Sequence, residues 1–434
     1  MPSTGASCNI LKTFQTQGPV NSTGPFACAT GNIRKNCTKM SDLPPSSARH
    51  YPLAMEQWWK EQVEQSEVHT LENIHRNASV LSDHFTIKRD KGFPDYFKKP
   101  GHLLAYGIYF HPQSWARIRF PLLEAIQYHH WKMPEDKRLS ILDVGSGPGS
   151  ASLSALQLLT ALNPELKLEA TAVDQSPHAL DALRRSHADL RSLWPGSTVS
   201  THAKNLRHRD TFFYNGKQRF DLVFLSFSLN EFFAGRPTEE VAELLKAASG
   251  KLLKKKGLLI IMEPALRETS RNLRTISDQL LEEGGLYSWG PYLHQGSCPF
   301  QEDGKFWCHE VRSWQPPRSM EYVNRRMQRK IHELKYSFIT LSSSPPPASP
   351  ATPQHFRMVS PMSRMKGHFL MTGVAGDGQE HVYELLFRNL DAAQKKTIRK
   401  MARGDFLKVH NLENVGRRLR IPKFEDIIQH FHVG

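Results

Sequence analysis

The chain has 434 residues, 39% hydrophobic and 23% charged: enough for one large core with an appended module, and too apolar for a wholly disordered polymer. No stretch approaches the roughly 18 uninterrupted apolar residues of a membrane span, the start lacks the apolar core of a secretory signal, and five cysteines do not describe a disulfide framework. These exclusions predict a soluble intracellular protein with no membrane partner, and the net charge of +15 asks for a polyanionic partner or a solvated surface.

Residues 1 to about 50 are rich in Ser, Thr, Asn, Gly and Pro, hold Cys8, Cys28 and Cys37, and have no acidic residue before Asp42. They read as a disordered leader faintly similar to an organelle transit peptide, with a true start at Met40 as the alternative. Residues 51–137 read as a helical extension. Met55 to Leu81 alternates charged and apolar positions, and Trp115 to Tyr128 reads as an amphipathic helix, together capping one side of a sheet.

The most informative segment is Leu142 to Ser150, an apolar strand that breaks into Gly145-Ser146-Gly147-Pro148-Gly149 and opens a helix over about Ala151 to Leu162. A dinucleotide fingerprint requires G-x-G-x-x-G, whereas the third glycine here comes one position early. Glycines alone could make a tight turn with no ligand. Three later features favour a cofactor. Leu168 to Val173 is a second strand ending in Asp174, whose carboxylate can accept hydrogen bonds from two ribose hydroxyls. Phe220 to Ser226 is a continuous apolar run of the kind buried on both faces, followed by Phe227-Ser228-Leu229-Asn230-Glu231. Gly257 to Pro264 is a further strand. The cofactor candidates are Asp143, Gly145, Ser146, Gly147, Gly149, Asp174 and Ser226.

This core runs from residue 138 to 342. It includes a helix from Glu268 to Glu283 stopped by Gly284-Gly285, an insertion over about 292–330 and a strand from Glu333 to Leu341. Residues 343–355 are a linker stiffened by proline. Residues 356–434 form a small basic β-rich module, with a hairpin around Asp377-Gly378. From Pro316 to the end, 20 Lys and Arg face 10 Asp and Glu, so this quarter carries +10 of the +15. Arg325-Arg326, Arg329-Lys330, Lys395-Lys396, Arg399-Lys400 and Arg417-Arg418-Leu419-Arg420 recur among apolar residues, a pattern suited to structured RNA as well as to a solvated face.

The early third glycine resembles the S-adenosylmethionine loop of Rossmann-like methyltransferases, which implies an α/β fold with a seven-stranded sheet. A more selective resemblance covers most of the chain from Ala105: Ala105-Tyr106, Pro112 to Arg117, Glu263-Pro264, Cys298-Pro299, Trp307-Cys308-His309, Lys335-Tyr336-Ser337-Phe338 and Lys366-Gly367-His368. In that order these elements are similar to the methyltransferase-like proteins of the small ribosomal subunit, known from mitochondria and with bacterial relatives. The resemblance implies S-adenosylmethionine as cofactor, ribosomal RNA and the small-subunit precursor as partners, a monomer apart from the ribosome, and the mitochondrial matrix or the bacterial cytoplasm as location. It also implies an iron-sulfur cluster on four cysteines. Only Cys298 and Cys308 are present as metal candidates, with no second cysteine near Cys298 and none in the tail hairpin. Either the cluster is lost and the insertion keeps its shape, or His294, His309 or a leader cysteine completes a site.

Catalysis is less legible. Ser228-Leu229-Asn230-Glu231 is not the Asn/Asp-Pro-Pro-aromatic motif of enzymes that methylate base amines, and no cysteine stands near the fourth or fifth strand as a nucleophile. Asn230 and Glu231 are the candidates to orient or deprotonate an acceptor. Three readings stay open: a methyltransferase of the small subunit or its RNA, a non-catalytic RNA-binding assembly factor, and a methyltransferase of small molecules or proteins.

Overall fold

The computed structural model describes residues 50–66, 69–86, 95–205, 218–283, 285–301 and 305–432. The predicted leader, with Cys8, Cys28, Cys37 and Met40, lies outside them but for residue 50, and so does Gly284. Five segments make the parallel centre of a sheet: β1 (Arg138–Val144), β2 (Lys167–Asp174), β3 (Ser197–Ala203), β4 (Phe220–Ser226) and β5 (Leu253–Pro264). Three strands extend it, β6 (Tyr287–Gly290), β7 (Glu310–Ser313) and β8 (Glu333–Ser342).

Seven strands form one path in the order β3-β2-β1-β4-β5-β8-β6, and β7 pairs with β8 beside it. β8 runs antiparallel to β5, and β6 and β7 run antiparallel to β8. Apolar alternation explains the two-sided burial: Leu222, Phe224 and Ile260 enter one core, and Val223, Leu225 and Ile261 the other. Strand order reverses between β1 and β4, which opens a crevice at the carboxyl ends of the strands, where ligands of such sheets bind.

The helix Ser150–Leu162 is buried from Ser150 to Thr160 because a second helical layer, His111–Leu123, packs over it; the Ser154 hydroxyl donates to the Trp115 carbonyl at 2.7 Å. The helix expected over Trp115 to Tyr128 is therefore not amphipathic. It starts at His111, buries ten of its thirteen residues between layers, and ends in a π-helical turn, Glu124–Tyr128. Met55 to Leu81 divides into the helices Leu53–Glu64 and Ile74–Thr86, with Thr70 and Asn73 capping each other's amides in the break. The segment expected as an insertion carries structure of its own, β7 and the helix Arg318–Arg326.

The C-terminal module is a second sheet of β9 (His355–Met358), β10 (Ser363–Arg364), β11 (His368–Ala375), β12 (Glu380–Leu386), β13 (Phe406–Val409), β14 (Glu413–Val415), β15 (Arg418–Arg420) and β16 (Ile427–Phe431). β11 and β12 form the expected hairpin, and Asp377 braces its turn by accepting the Gln379 amide at 2.9 Å. The module has its own core of Phe356, Phe369, Met371, Tyr383 and Leu407. It is nevertheless fastened to the larger sheet: Tyr128 stacks on Phe406 at 3.7 Å between ring centroids, and the linker hydroxyls of Ser343 and Ser344 donate to the Lys255 carbonyl.

Candidate functional site

The crevice holds a cavity of about 390 Å³, within the range of ligand pockets. Its floor is the loop after β1. The Gly145 and Ser146 amides donate to the Val173 carbonyl, folding the loop back onto β2. Gly147, with φ 53°, turns its Cα to the cavity, where an added Cβ would face the Phe97 ring at 3.6 Å. Gly145 also lines the cavity, but a Cβ there would stand 2.5 Å from that of Ser228.

Asp174 closes the end of β2 and lines the same space. One carboxylate oxygen accepts the Gly147 amide and the other the Ser176 amide, both at 2.8 Å. A carboxylate offers about four acceptor positions, so beside the backbone amides of Gly147, Ser176 and Gln175 capacity remains for a ribose hydroxyl. Burial pushes Asp174 up to about 6 against the pull of those amides. Ser226, at the tip of β4, presents a buried hydroxyl with no hydrogen-bond partner, and Asn230 a buried side-chain oxygen in the same condition.

Three cofactor candidates lie elsewhere. Asp143 is fully buried beneath the loop, accepts the Ser152 amide and hydroxyl, and ties β1 to the following helix; burial pushes it up to about 6. The Ser146 hydroxyl turns back to the Gly147 carbonyl at 3.3 Å. Gly149 caps the helix Ser150–Leu162 and sits against Leu183, 2.3 Å from where its Cβ would be. These residues shape the loop without lining the cavity. Glu231 does line it, and the amide of Asn230 is anchored on Glu263 at 3.3 Å.

The opposite wall comes from the N-terminal extension and had no assigned role in the sequence. Asp95 accepts the Phe97 amide, and Tyr96, Phe97, Tyr106 and Phe110 form a chain of ring contacts 4.5–5.7 Å apart. Tyr106 and Phe110 bound a π-helical turn, Tyr106–Phe110, a local widening that often marks functional sites. Arg117, Arg329 and Lys335 complete the lining, with the Arg117 guanidinium over the Phe227 ring at 5.1 Å. The density of aromatics in Tyr96-Phe97 and Tyr106-Gly107-Ile108-Tyr109-Phe110 was the available signal.

Cys298 and Cys308 come together in a separate buried cluster with Tyr292, Phe300 and Val374, the last from the tail hairpin. The Tyr292 hydroxyl lies 3.0 Å from the Cys298 sulfur, and the Cys298 thiol beside Cys308 holds the latter down at about 6. Among the described residues no three of His, Cys, Asp or Glu group as metal ligands. His294 stacks on Tyr292 and accepts the Gly296 amide, while the His309 ring pairs with the Trp307 carbonyl. Two thiols packed by a phenol and a valine do not by themselves make a four-thiolate cluster. On Cys298 and Cys308 alone, protein prepared without oxygen is expected to contain no stoichiometric iron, and a chelator should leave its Tm unchanged; a chelator-sensitive Tm together with bound iron would show that a further ligand, such as a leader cysteine, completes a site.

The basic tail is partly neutralised from within, since Arg418 and Arg420 pair with Glu384 at 3.3 and 2.8 Å. Lys396, Arg399 and Lys400 are exposed around the helix Ala392–Ile398.

A parallel sheet of this order, with a glycine loop after its first strand, an aspartate at the tip of the second and an antiparallel strand beside the fifth, defines the Rossmann-like methyltransferase class. Within that class the chain belongs to the Rsm22 family, described as mitochondrial small ribosomal subunit Rsm22, which it matches over residues 101–408. No curated protein matches the sequence. Among solved structures it is similar to magnesium protoporphyrin IX methyltransferase from Synechocystis, determined with S-adenosylmethionine bound, at 12% identity and a TM-score of 0.31 over 62% of this chain and 97% of that one. It is also similar to precorrin-6y C5,15-methyltransferase from Geobacter metallireducens, at 15% identity and a TM-score of 0.28 over 51% and 88% of the two chains. A third likeness is to ribosomal protein L11 methylase from Lactobacillus delbrueckii, at 15% and 0.26 over 51% and 78%. At these scores the likenesses carry nothing about substrate. No described helix is long and apolar enough to cross a membrane.

Proposed function

We propose that this protein binds S-adenosylmethionine in the β1–β4 crevice and acts as a methyltransferase on the small ribosomal subunit or its RNA, in the mitochondrial matrix. The observation that carries the reading is the cavity itself: an open glycine backbone at Gly147, acceptor capacity left on Asp174, and two buried unpartnered oxygens, on Ser226 and Asn230, around one space. S-adenosylmethionine would supply an electrophilic methyl group on a cationic sulfur. Gly147 lets the backbone approach that ligand, Asp174 takes its ribose hydroxyls, and Ser226 offers a polar contact. Asn230 and Glu231, which line the same cavity, would orient or deprotonate the acceptor. The family match supports the small-subunit partner, and the basic tail supports contact with ribosomal RNA.

The test is methyl transfer from labelled donor to small-subunit precursor RNA, comparing wild type with Gly147→Asp, which places a carboxylate against the cofactor. Wild type should label the RNA and the variant should fall to background. If wild type never exceeds background yet binds precursor particles with steep salt dependence, the assembly-factor reading replaces the enzymatic one.

A further inference from the structure

The cavity is charged unequally along its length, and we propose that its Tyr109 end, with Arg117 and Arg329, is a subsite for the phosphate of a nucleotide acceptor. The inference rests on the cofactor reading of the opposite end, and two independent features of the wall support it.

The first is segregation of charge. Asp95, Asp174 and Glu231 line one end; after burial, the largest influence on Tyr96 and Tyr106, the field of Glu231 and Asp174 further raises both phenols, Tyr106 to about 12. Tyr109 senses the reverse: burial raises its phenol, while Arg329 and Arg117 pull it down. An acidic end suits a sulfonium and ribose hydroxyls, and a cationic end suits an anion.

The second is a set of polar atoms held ready. The Tyr109 side chain is 1% exposed and lines the cavity, and its hydroxyl lies against the Arg329 side chain, which acts on it by hydrogen bonding as well as by charge. Arg117 donates to the Gln113 side-chain oxygen at 3.1 Å, Gln113 is itself fixed on the Tyr109 carbonyl at 2.8 Å, and the Arg117 Nε is buried without a partner. Arg329 is steadied by the Ser82 hydroxyl at 2.6 Å and by the Asn324 carbonyl on its amide. Its neighbour Gln328 and the cavity residue Phe227 both hold left-handed backbone, φ 54° and 61°, a strain that clusters at ligand sites. Lys335 stands at the mouth, next to Tyr336, which pairs with Pro264 at the tip of β5. Two guanidiniums beside a buried phenol, with Lys335 on the same cavity, match a phosphate dianion, and the rings of Phe85, Phe110 and Phe227 also line the space a base would enter.

The experiment is calorimetric titration of protein saturated with S-adenosylhomocysteine, using the four nucleoside 5′-monophosphates, the matching nucleosides and a single-stranded oligoribonucleotide. At least one phosphate-bearing probe should bind wild type, and its Kd should rise about tenfold or more in Arg329→Gln and be largely recovered in Arg329→Lys, as expected for a hydrogen bond to a charged group. Binding of a monophosphate over its nucleoside assigns the site to free nucleotides, and binding of the oligonucleotide alone assigns it to an RNA chain; both support the subsite. Equal affinity of wild type and Arg329→Gln for every phosphate-bearing probe overturns the proposal. So does loss of S-adenosylhomocysteine affinity in Arg329→Gln, which would give the cations to the cofactor's own carboxylate. Failure of wild type to bind S-adenosylhomocysteine refutes the cofactor reading alone, since the phosphate titrations run equally well without it.

Discussion

Arg357→Met is expected to lower Tm by about 5 °C, because it takes from two buried carboxylates the guanidinium they share. Arg357 is fully buried on β9 and reaches out of the C-terminal module to Glu124 at 2.7 Å, in the π-helical turn, and to Glu310 at 3.1 Å, on β7. It also donates to the Pro291 carbonyl, while Arg312 pairs with Glu310 and reaches the Gly404 carbonyl at 3.2 Å. Removing one member of such a buried set costs about 3–5 kcal/mol, and an unfolding entropy of about 2.1 cal/mol/K per residue converts that into roughly 5 °C for a chain of this size. Burial already pushes Glu124 up to about 7 despite Arg357, and Glu310 stays low because Arg357, Arg312 and Arg403 outweigh its own burial. Without Arg357 Glu124 rises further and Glu310, left with Arg312 and Arg403, rises from its lowered value, so that carboxyl protons are kept in the folded state that are lost in the unfolded one. Their contribution is then present at low pH and lost as pH rises through the folded values, so the deficit should be larger at pH 8 than at pH 6. Thermal unfolding at the two pH values checks this, and an unchanged Tm at pH 8 would show the network to be dispensable. Replacing Glu124 by glutamine together with Arg357→Met should return part of the loss, while Glu310 keeps Arg312 as its partner.

That network also shows where sequence reading stops. β1, β4 and β5 announce themselves because strands buried on both faces must be continuously apolar, as in Phe220 to Leu225. β7 does not, since its buried positions are Glu310 and Arg312, charges made tolerable only by partners from β9 and the helical turn. β3 is an edge strand of alternating exposure, and Ser197-Thr198-Val199-Ser200-Thr201 has too little apolar content to stand out. Within the site, the loop, Asp174 and Ser226 are local consequences of one strand, turn and helix, so their neighbourhood is legible. The wall of Tyr96, Phe97, Tyr106, Tyr109 and Arg117 is assembled over the crevice by packing between helices, and no local spacing encodes it. Asp143 and Gly149 carry the right residue types at the right places for ligand contact, but Ser152 holds one oxygen of Asp143, Gly149 packs against Leu183, and neither lines the cavity.

Asp174→Asn should weaken S-adenosylmethionine or S-adenosylhomocysteine binding by about tenfold to a hundredfold, the worth of a hydrogen bond or two to a charged group. The amide cannot reproduce the carboxylate, because both oxygens already accept backbone N–H groups, from Gly147 and Ser176. An NH₂ on either side therefore confronts a donor and removes acceptor capacity from the ribose. The same geometry fixes a pH dependence. Burial raises Asp174 to about 6, and only the ionised form accepts from the ribose on both oxygens. Ligand affinity should thus be level above about pH 7 and fall as pH drops through 6, approaching tenfold per unit where the bound form excludes the proton. Asp143, pushed to a similar value, faces Ser152 and not the cavity, so Asp143→Asn serves as the control and should retain the wild-type slope. In Asp174→Asn the slope should vanish, leaving weak binding that is flat from pH 5 to 8. A wild-type affinity that is itself flat over that range would remove Asp174 from the ribose and leave it as a brace for the Gly147 loop.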